Sequence, residues 1–185
     1  NKLDEYIDKC EDPDVLLCSC YVWNWEITNI LAKRIKEKYP KCIIVFGGPQ
    51  VPGKYEGFFV KEGGTGKFFE DYPYVDMLVH AEGESSCKNM MEAFVERKDF
   101  SEIRGIETKD FRTLPADRIF DLDIIPSPYL TGIITDLVEP VEGVDYIAAW
   151  ETNRGCPFQC TFCDWGSATK TKVRKWEMER LFKEI

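Results

Sequence analysis

Apolar and polar residues alternate in blocks along the first hundred positions. Continuous apolar runs at 14–23, 41–48 and 74–80 predict strands that are buried on both faces. Amphipathic stretches at 25–40 and 85–97 predict helices, one between the first two strands and one after the third. Strands that alternate with helices are typical of βαβ units, so the pattern predicts an α/β protein with a parallel sheet covered by helices.

Each predicted helix has residues at helical spacing that would form its apolar face. In the first helix they are Ile27, Ile30, Leu31, Ile35 and Tyr39. In the second they are Cys87, Met90, Met91, Phe94 and Val95.

The alternation of predicted strands and helices ends near residue 100. Residues 103–115 predict a short hairpin with its turn near Lys109 and Asp110, and the proline-containing stretch 121–132 predicts an extended linker. Residues 145–156 then predict a strand and 172–185 a helix, which together would form one βα unit. Val173, Trp176, Leu181 and Ile185 would form the apolar face of that helix.

These elements predict three parts. Residues 1–100 would form a Rossmann-like domain, 101–143 a hairpin and linker, and 144–185 the start of a second domain. The sequence begins without Met and ends inside an amphipathic stretch, so we expect a segment of a longer reading frame.

Composition limits the class of protein. The 185 residues are 44% hydrophobic and 31% charged, which is ordinary for a globular protein, and no apolar run is long enough to span a membrane. A net charge of −9 argues against a nucleic-acid or anionic-membrane partner. Because the N-terminal residues lack the apolar core of a secretory signal, we expect a cytoplasmic protein with reduced cysteines.

Three of the eight cysteines are clustered in "ETNRGCPFQCTFCDWG", residues 151–166. Cys156, Cys160 and Cys163 would lie on one short loop and could bind one metal centre. A structural zinc site would need a fourth ligand, and the only histidine, His80, lies in the other predicted domain. Ferredoxin spacings do not match either. Three thiolates on a [4Fe–4S] cluster would leave one iron open, as catalytic metal sites do.

At these residues the sequence resembles the radical S-adenosylmethionine (SAM) superfamily, whose signature is CxxxCxxC with an aromatic residue before the third cysteine. Here Phe162 holds that position. The resemblance implies that the open iron binds SAM and that electron transfer cleaves SAM to a 5′-deoxyadenosyl radical. It also implies that Phe162 lines the adenine side through its backbone, that 144–185 starts a partial TIM barrel, and that a flavodoxin- or ferredoxin-like protein donates the electron.

A Rossmann-like half before such a loop resembles the cobalamin-binding subgroup of the superfamily. The resemblance implies that cobalamin lies across the carboxyl ends of the strands and that the usual chemistry is methyl transfer or rearrangement at an unactivated carbon. It also implies that the domain's first strand and helix would precede residue 1. The matching loops would place these residues against the cofactor: Tyr21, Trp23, Asn24, Gly47, Gly48 and Glu82.

Two departures from the subgroup's relatives matter. The DxHxxG pattern of many other cobalamin domains is absent, which indicates cobalt without a protein histidine. Ala81 stands where the subgroup usually has glycine, and a positive φ there would strain the turn.

Two other hypotheses remain open. The chain could come from a radical SAM enzyme whose Rossmann-like half serves only as a scaffold. It could instead be a non-catalytic module that carries cobalamin or is stabilised by zinc.

Overall fold

The computed structural model describes residues 2–52, 66–158, 160–162 and 173–185. The chain divides into two compact units, Asn1–Arg118 and Ile119–Ile185. The three-part division drawn from the sequence stays a prediction. None of the helices in these described ranges is both long and apolar enough to cross a membrane.

The first unit is an open sheet with helices. In chain order its elements are α1 (Lys2–Asp8), β1 (Val15–Ser19), α2 (Trp25–Lys38), β2 (Ile43–Gly47), α3 (Gly66–Asp71), β3 (Met77–Val79), α4 (Gly83–Glu96) and β4 (Ile106–Glu107). The strands lie in the order β1-β2-β3-β4; the first three are parallel and β4 is antiparallel to β3. The predicted α/β class with a parallel sheet is confirmed.

Alternation along the central strands divides the core into two layers. Ile44 and Phe46 of β2 pack on one face with Ile35 of α2. Val45, between them in sequence, packs on the other face with Met90 of α4. The side chains in both layers are almost fully buried. Helices therefore cover both faces of β2 and β3.

The burial predicted for the first strand was wrong. β1 lies at the edge of the described sheet, and Leu17 is 49% exposed. A continuous apolar run reports hydrophobicity, whereas burial on both faces also needs covering elements on each side.

The predicted face of α2 was also wrong in part. Ile27 and Ile30 are exposed, whereas Thr28 and Ala32 are buried. Trp25 explains the rotation, because its indole packs edge-on against Phe46 at a centroid distance of 5.8 Å and anchors the start of the helix on the sheet. Small residues one position further along then face the strands.

The second unit has shorter elements. They are a 3₁₀ helix (Leu122–Ile124), α5 (Ile133–Leu137), β5 (Asn153–Arg154), β6 (Arg174–Lys175) and α6 (Met178–Glu184). β5 and β6 are antiparallel, with Arg154 opposite Arg174. A small core contains Ile119, Leu122, Trp176 and Leu181.

Two predicted elements of this unit were too long. The strand expected over 145–156 is limited to Asn153–Arg154, and the helix expected from 172 begins at Met178. Val173 and Ile185, expected on its apolar face, are exposed. Pairing between β5 and β6 holds residues 174–175 extended, so a helix can begin only after Trp176.

Candidate functional site

Three loops of the first unit begin at the same level of the sheet. The parallel register pairs Ser19 with Gly47 and Gly47 with Val79, so β1, β2 and β3 end side by side. The carboxyl edge of an open α/β sheet is where such folds bind ligands. The structure therefore brings the predicted loops after these strands to one edge.

The first two loops are fastened to each other through the backbone of Cys20. Its N–H donates to the Gly47 carbonyl at 2.7 Å, and its carbonyl accepts from the Gln50 N–H at 3.1 Å. Gly48 has a φ of +96°, and a Cβ there would lie 2.8 Å from the Cys20 carbonyl oxygen. Glycine at 48 is thus required by the crossing of two protein backbones, whatever else the edge binds.

Gly47 is less constrained. A Cβ at this position would lie 3.5 Å from the Val79 carbonyl oxygen, which is an ordinary contact. The two adjacent glycines therefore have different structural roles.

The loop after β1 presents an aromatic pair. The rings of Tyr21 and Trp23 stack with centroids 4.5 Å apart and an interplanar angle of 17°. Trp23 is 76% exposed, which is unusual for a large apolar side chain that packs against a neighbour. The pair forms a flat apolar surface at the carboxyl edge of the sheet.

Asn24 follows this pair and its side chain turns back toward β1. The amide nitrogen donates to the Ser19 carbonyl at 2.8 Å, and the amide oxygen accepts from the Tyr21 N–H at 2.7 Å. Both ends of the amide are therefore engaged with the backbone of the loop.

The loop after β3 contains the predicted strain. Ala81 has a φ of +60°, in the left-handed region that favours glycine, so the strain predicted for this turn is present. Glu82 follows as the half-buried N-cap of α4.

His80, immediately before this turn, belongs to a buried ionic group. Its Nε2 lies 2.9 Å from Glu107 Oε2, and both side chains are almost fully buried. Arg112 Nε lies 3.4 Å from the same carboxylate oxygen. This group joins the end of β3 to the β4 hairpin, so His80 has a structural role there.

The clustered cysteines follow β5 in the second unit. Gly155, with a φ of +105°, turns the chain before Cys156, which is half-buried; Cys160 is exposed, and both are free thiols. Phe162 is exposed as well. Cys163 lies outside the described residues, so the three-thiol arrangement stays a prediction.

Among the residues that the structure describes, no group of three or more His, Cys, Asp or Glu side chains is placed to hold a metal ion. The two described thiols of the cluster motif nevertheless have the donor chemistry for iron and sulfide, and neither is engaged in a disulfide.

The thiols of Cys18 and Cys20 lie at the carboxyl end of β1. Burial, followed by the neighbouring Cys20 and Cys42, raises the pKa of Cys18 to about 12. Burial also raises the pKa of Cys20 to about 11. Both thiols are therefore protonated near neutral pH, and both pack with the core on the α2 face of the sheet.

Sequence reasoning missed the cluster around Trp176. The guanidinium of Arg154 lies 5.4 Å from its ring centroid and that of Arg180 lies 5.6 Å away. Arg154 also pairs with Glu151 at 3.1 Å. Trp176 and these arginines contribute to the wall of a mainly apolar cleft of about 860 Å³ within the second unit. The sequence signal was weak because β5 and β6, which bring Trp176 to Arg154, are only two residues long each.

No protein-family model matches the chain. It is 40% identical over 190 residues to the cobalamin-dependent radical SAM methyltransferase TokK of Streptomyces tokunonensis, covering 99% of this chain and 26% of that protein. It is also 40% identical over 181 residues to the 2-(S-pantetheinyl)-carbapenam-3-carboxylate methyltransferase of Streptantibioticus cattleyicolor, covering 94% of this chain and 25% of the relative.

The fold has a solved counterpart. The structure of the cobalamin-dependent SAM radical enzyme OxsB with aqua-cobalamin bound matches with a TM-score of 0.60 and 18% identity, over 99% of this chain and 24% of that one. At this level of identity the likeness concerns the fold alone.

The sheet edge and the thiol loop define the class: an α/β chain with a Rossmann-like unit followed by a unit that carries a CxxxCxxC motif. Of these two relatives, TokK is a cobalamin-dependent radical SAM methyltransferase and the other is a methyltransferase, and the resemblance drawn from the sequence is confirmed. The chain spans about a quarter of the length of these relatives.

Proposed function

We propose that this chain is the cofactor-binding part of a cobalamin-dependent radical SAM methyltransferase that transfers a methyl group to an unactivated carbon. The observation that carries the proposal is the 40% identity with TokK along 99% of the chain. The aligned part of the chain includes both regions where the sequence predicts cofactors.

In this proposal the thiolates of Cys156, Cys160 and Cys163 hold a [4Fe–4S] cluster and leave one iron for SAM. The backbone of Phe162 lines the adenine side. The accessible, free thiols of Cys156 and Cys160 support this assignment. When bound, the cluster would supply the electron that cleaves SAM.

Cobalamin would lie across the carboxyl edge of the sheet, where it would carry the methyl group. The contacts expected from the resemblance are Tyr21, Trp23, Asn24, Gly47, Gly48 and Glu82. Both ends of the Asn24 amide are bonded to the loop backbone, so direct contact is proposed for the other five. The stack of half-buried Tyr21 and exposed Trp23 fits a large flat ligand, as does exposed Gly48. The chain's one histidine, His80, is buried against Glu107, which supports cobalt without an imidazole ligand from this chain.

The proposal includes an electron donor of the flavodoxin or ferredoxin type and a cytoplasmic location. Reducing conditions fit the seven cysteines that are free thiols in the described part of the chain. The net charge of −9 supports a protein that does not bind nucleic acid.

The complete protein, supplied with methylcobalamin, SAM and a reductant, tests the proposal. Cys160→Ala is expected to abolish SAM cleavage, whereas the matched change Cys87→Ala, at a half-buried thiol on α4, should retain it. SAM cleavage that persists in Cys160→Ala would contradict the cluster assignment. SAM cleavage by a wild-type protein that cannot retain cobalamin would instead favour the scaffold hypothesis.

A further inference from the structure

Asn24 occupies the N-cap position of α2, but its side chain does not cap the helix. Asparagine at this position ordinarily accepts a hydrogen bond from the first turn of the helix. Here the amide oxygen accepts from Tyr21 and the amide nitrogen donates to Ser19. The Asn24 side chain therefore makes two hydrogen bonds to the preceding loop instead of capping the helix.

These bonds define the part of the loop that carries the aromatic pair. The backbone N–H of Asn24 also donates to the Tyr21 carbonyl at 3.2 Å. Asn24 therefore bonds to both the N–H and the carbonyl of Tyr21. Trp23 lies between them in sequence and stacks on Tyr21. The loop is therefore fixed at the two ends of the segment that bears the stack.

A fixed loop lowers the conformational entropy that Tyr21 and Trp23 would lose on binding a ligand. Two mobile aromatic side chains lose conformational freedom when a ligand covers them, and that loss weakens binding. A pair that is already stacked and exposed has lost most of that freedom before the ligand arrives.

We propose that Asn24 is a positioning residue that holds Tyr21 and Trp23 stacked at the sheet edge, so that they are preorganised for the cofactor. The part of this inference that concerns the cofactor rests on the proposed function. The arrangement of the loop can be tested without any ligand. Asn24 acts through the two rings rather than by touching the cofactor.

The test uses the 185-residue chain and four variants, of which Trp23→Phe serves to assign the NMR signal. Asn24→Ala removes both side-chain bonds, and Asn24→Asp keeps the acceptor for Tyr21 while it loses the donor to Ser19. Asn29→Ala is the matched control, because Asn29 also uses both amide ends, to the Trp25 carbonyl at 2.7 Å and from the Tyr74 hydroxyl at 2.6 Å, away from the loop.

The first readout is the NMR signal of the Trp23 indole N–H, assigned by its loss in Trp23→Phe. Stacking on Tyr21 should shift this signal by ring current in the wild-type chain. The shift should disappear in Asn24→Ala, persist in Asn29→Ala and be largely retained in Asn24→Asp. An unchanged signal in Asn24→Ala would overturn the inference.

The second readout is the dissociation constant for aquacobalamin, followed by quenching of tryptophan fluorescence. Asn24→Ala should weaken binding by roughly tenfold, the effect of one or two lost hydrogen bonds, with Asn29→Ala close to wild type. Equal weakening in both variants would reduce Asn24 to a general structural role and overturn the inference. A wild-type chain that keeps the shifted Trp23 signal but binds no cobalamin would refute the proposed function, and with it the cofactor half of the inference.

Discussion

Gly48 lies where the loops after β1 and β2 cross, and it has a φ of +96°. We predict that Gly48→Ala lowers the free energy of unfolding by roughly 2–3 kcal/mol, because it adds backbone strain and a contact with the Cys20 backbone. Gly47→Ala should change it by less than about 1 kcal/mol. Urea unfolding of both variants measures the difference, and equal losses would contradict the crossing of the two backbones.

Ala81 offers the opposite case, since its left-handed conformation is strained by the side chain. Replacement by glycine should raise the free energy of unfolding by about 0.5–1 kcal/mol, after the entropy cost of glycine in the unfolded chain. Ala32→Gly, in the middle of α2, is the control and should lower stability by about 1 kcal/mol or more. A destabilised Ala81→Gly variant would show that the turn does not have a positive φ.

Thiol reactivity separates the structural cysteines from those proposed for the cluster. With a pKa of about 12, Cys18 should be thiolate in about one molecule in ten thousand at pH 8, and raising the pH toward 12 increases that fraction. Ellman's reagent should therefore modify exposed Cys160 rapidly in the native chain and reach Cys18 and Cys20 only after unfolding. Rapid labelling of Cys18 in the folded chain would contradict its burial.

Among the elements, β4 is joined to β3 by two paired positions, by the bond from the His80 N–H to the Gly105 carbonyl, and by the buried group of His80, Glu107 and Arg112. Glu107→Ala should lower the free energy of unfolding by about 3 kcal/mol, because it leaves His80 without its buried carboxylate partner. Glu92→Ala breaks the exposed pair with Lys88, whose atoms are 3.7 Å apart, and should cost less than about 0.5 kcal/mol. Thermal unfolding of the two variants makes the comparison; similar losses would mean that the Glu107 group is not buried.

The elements also show what the sequence can predict. β2 was predicted well because a strong apolar pattern formed it and neighbours on both sides buried it. α4 was predicted as a helix, but its expected apolar face was wrong in part, since Val95 is 76% exposed whereas Ser86 and Ala93 are buried. The rotation of α2 could not be read from spacing, since the contact of Trp25 with Phe46 sets it. The hairpin predicted over 103–115 is present, because β4 lies in it and Glu107 pairs with Arg112 across its turn.

The candidate site also has one part that the sequence predicts and another that it does not. The spacing of Cys156, Cys160 and Cys163 is local, so the sequence alone predicts a shared metal centre. The stack of Trp176 on Arg154 depends on pairing between residues some twenty positions apart, and the two bonds of Asn24 depend on the path of one turn. Such arrangements need coordinates.

At the scale of the whole molecule, each compact unit contains one proposed cofactor region. The first has the carboxyl edge of a parallel sheet, and the second has the thiol loop. The parts of the chain that align with the two methyltransferases include both regions, so we expect both cofactor sites to have been retained together.

The most direct test of this account is the metal content of the chain after anaerobic reconstitution with iron and sulfide. The account predicts about four iron and four sulfide per chain. It also predicts their loss in a variant with Cys156, Cys160 and Cys163 all replaced by alanine, with the full content kept when Cys18 and Cys20 are replaced instead. Zinc in place of iron, or iron that survives in the triple variant, would contradict it.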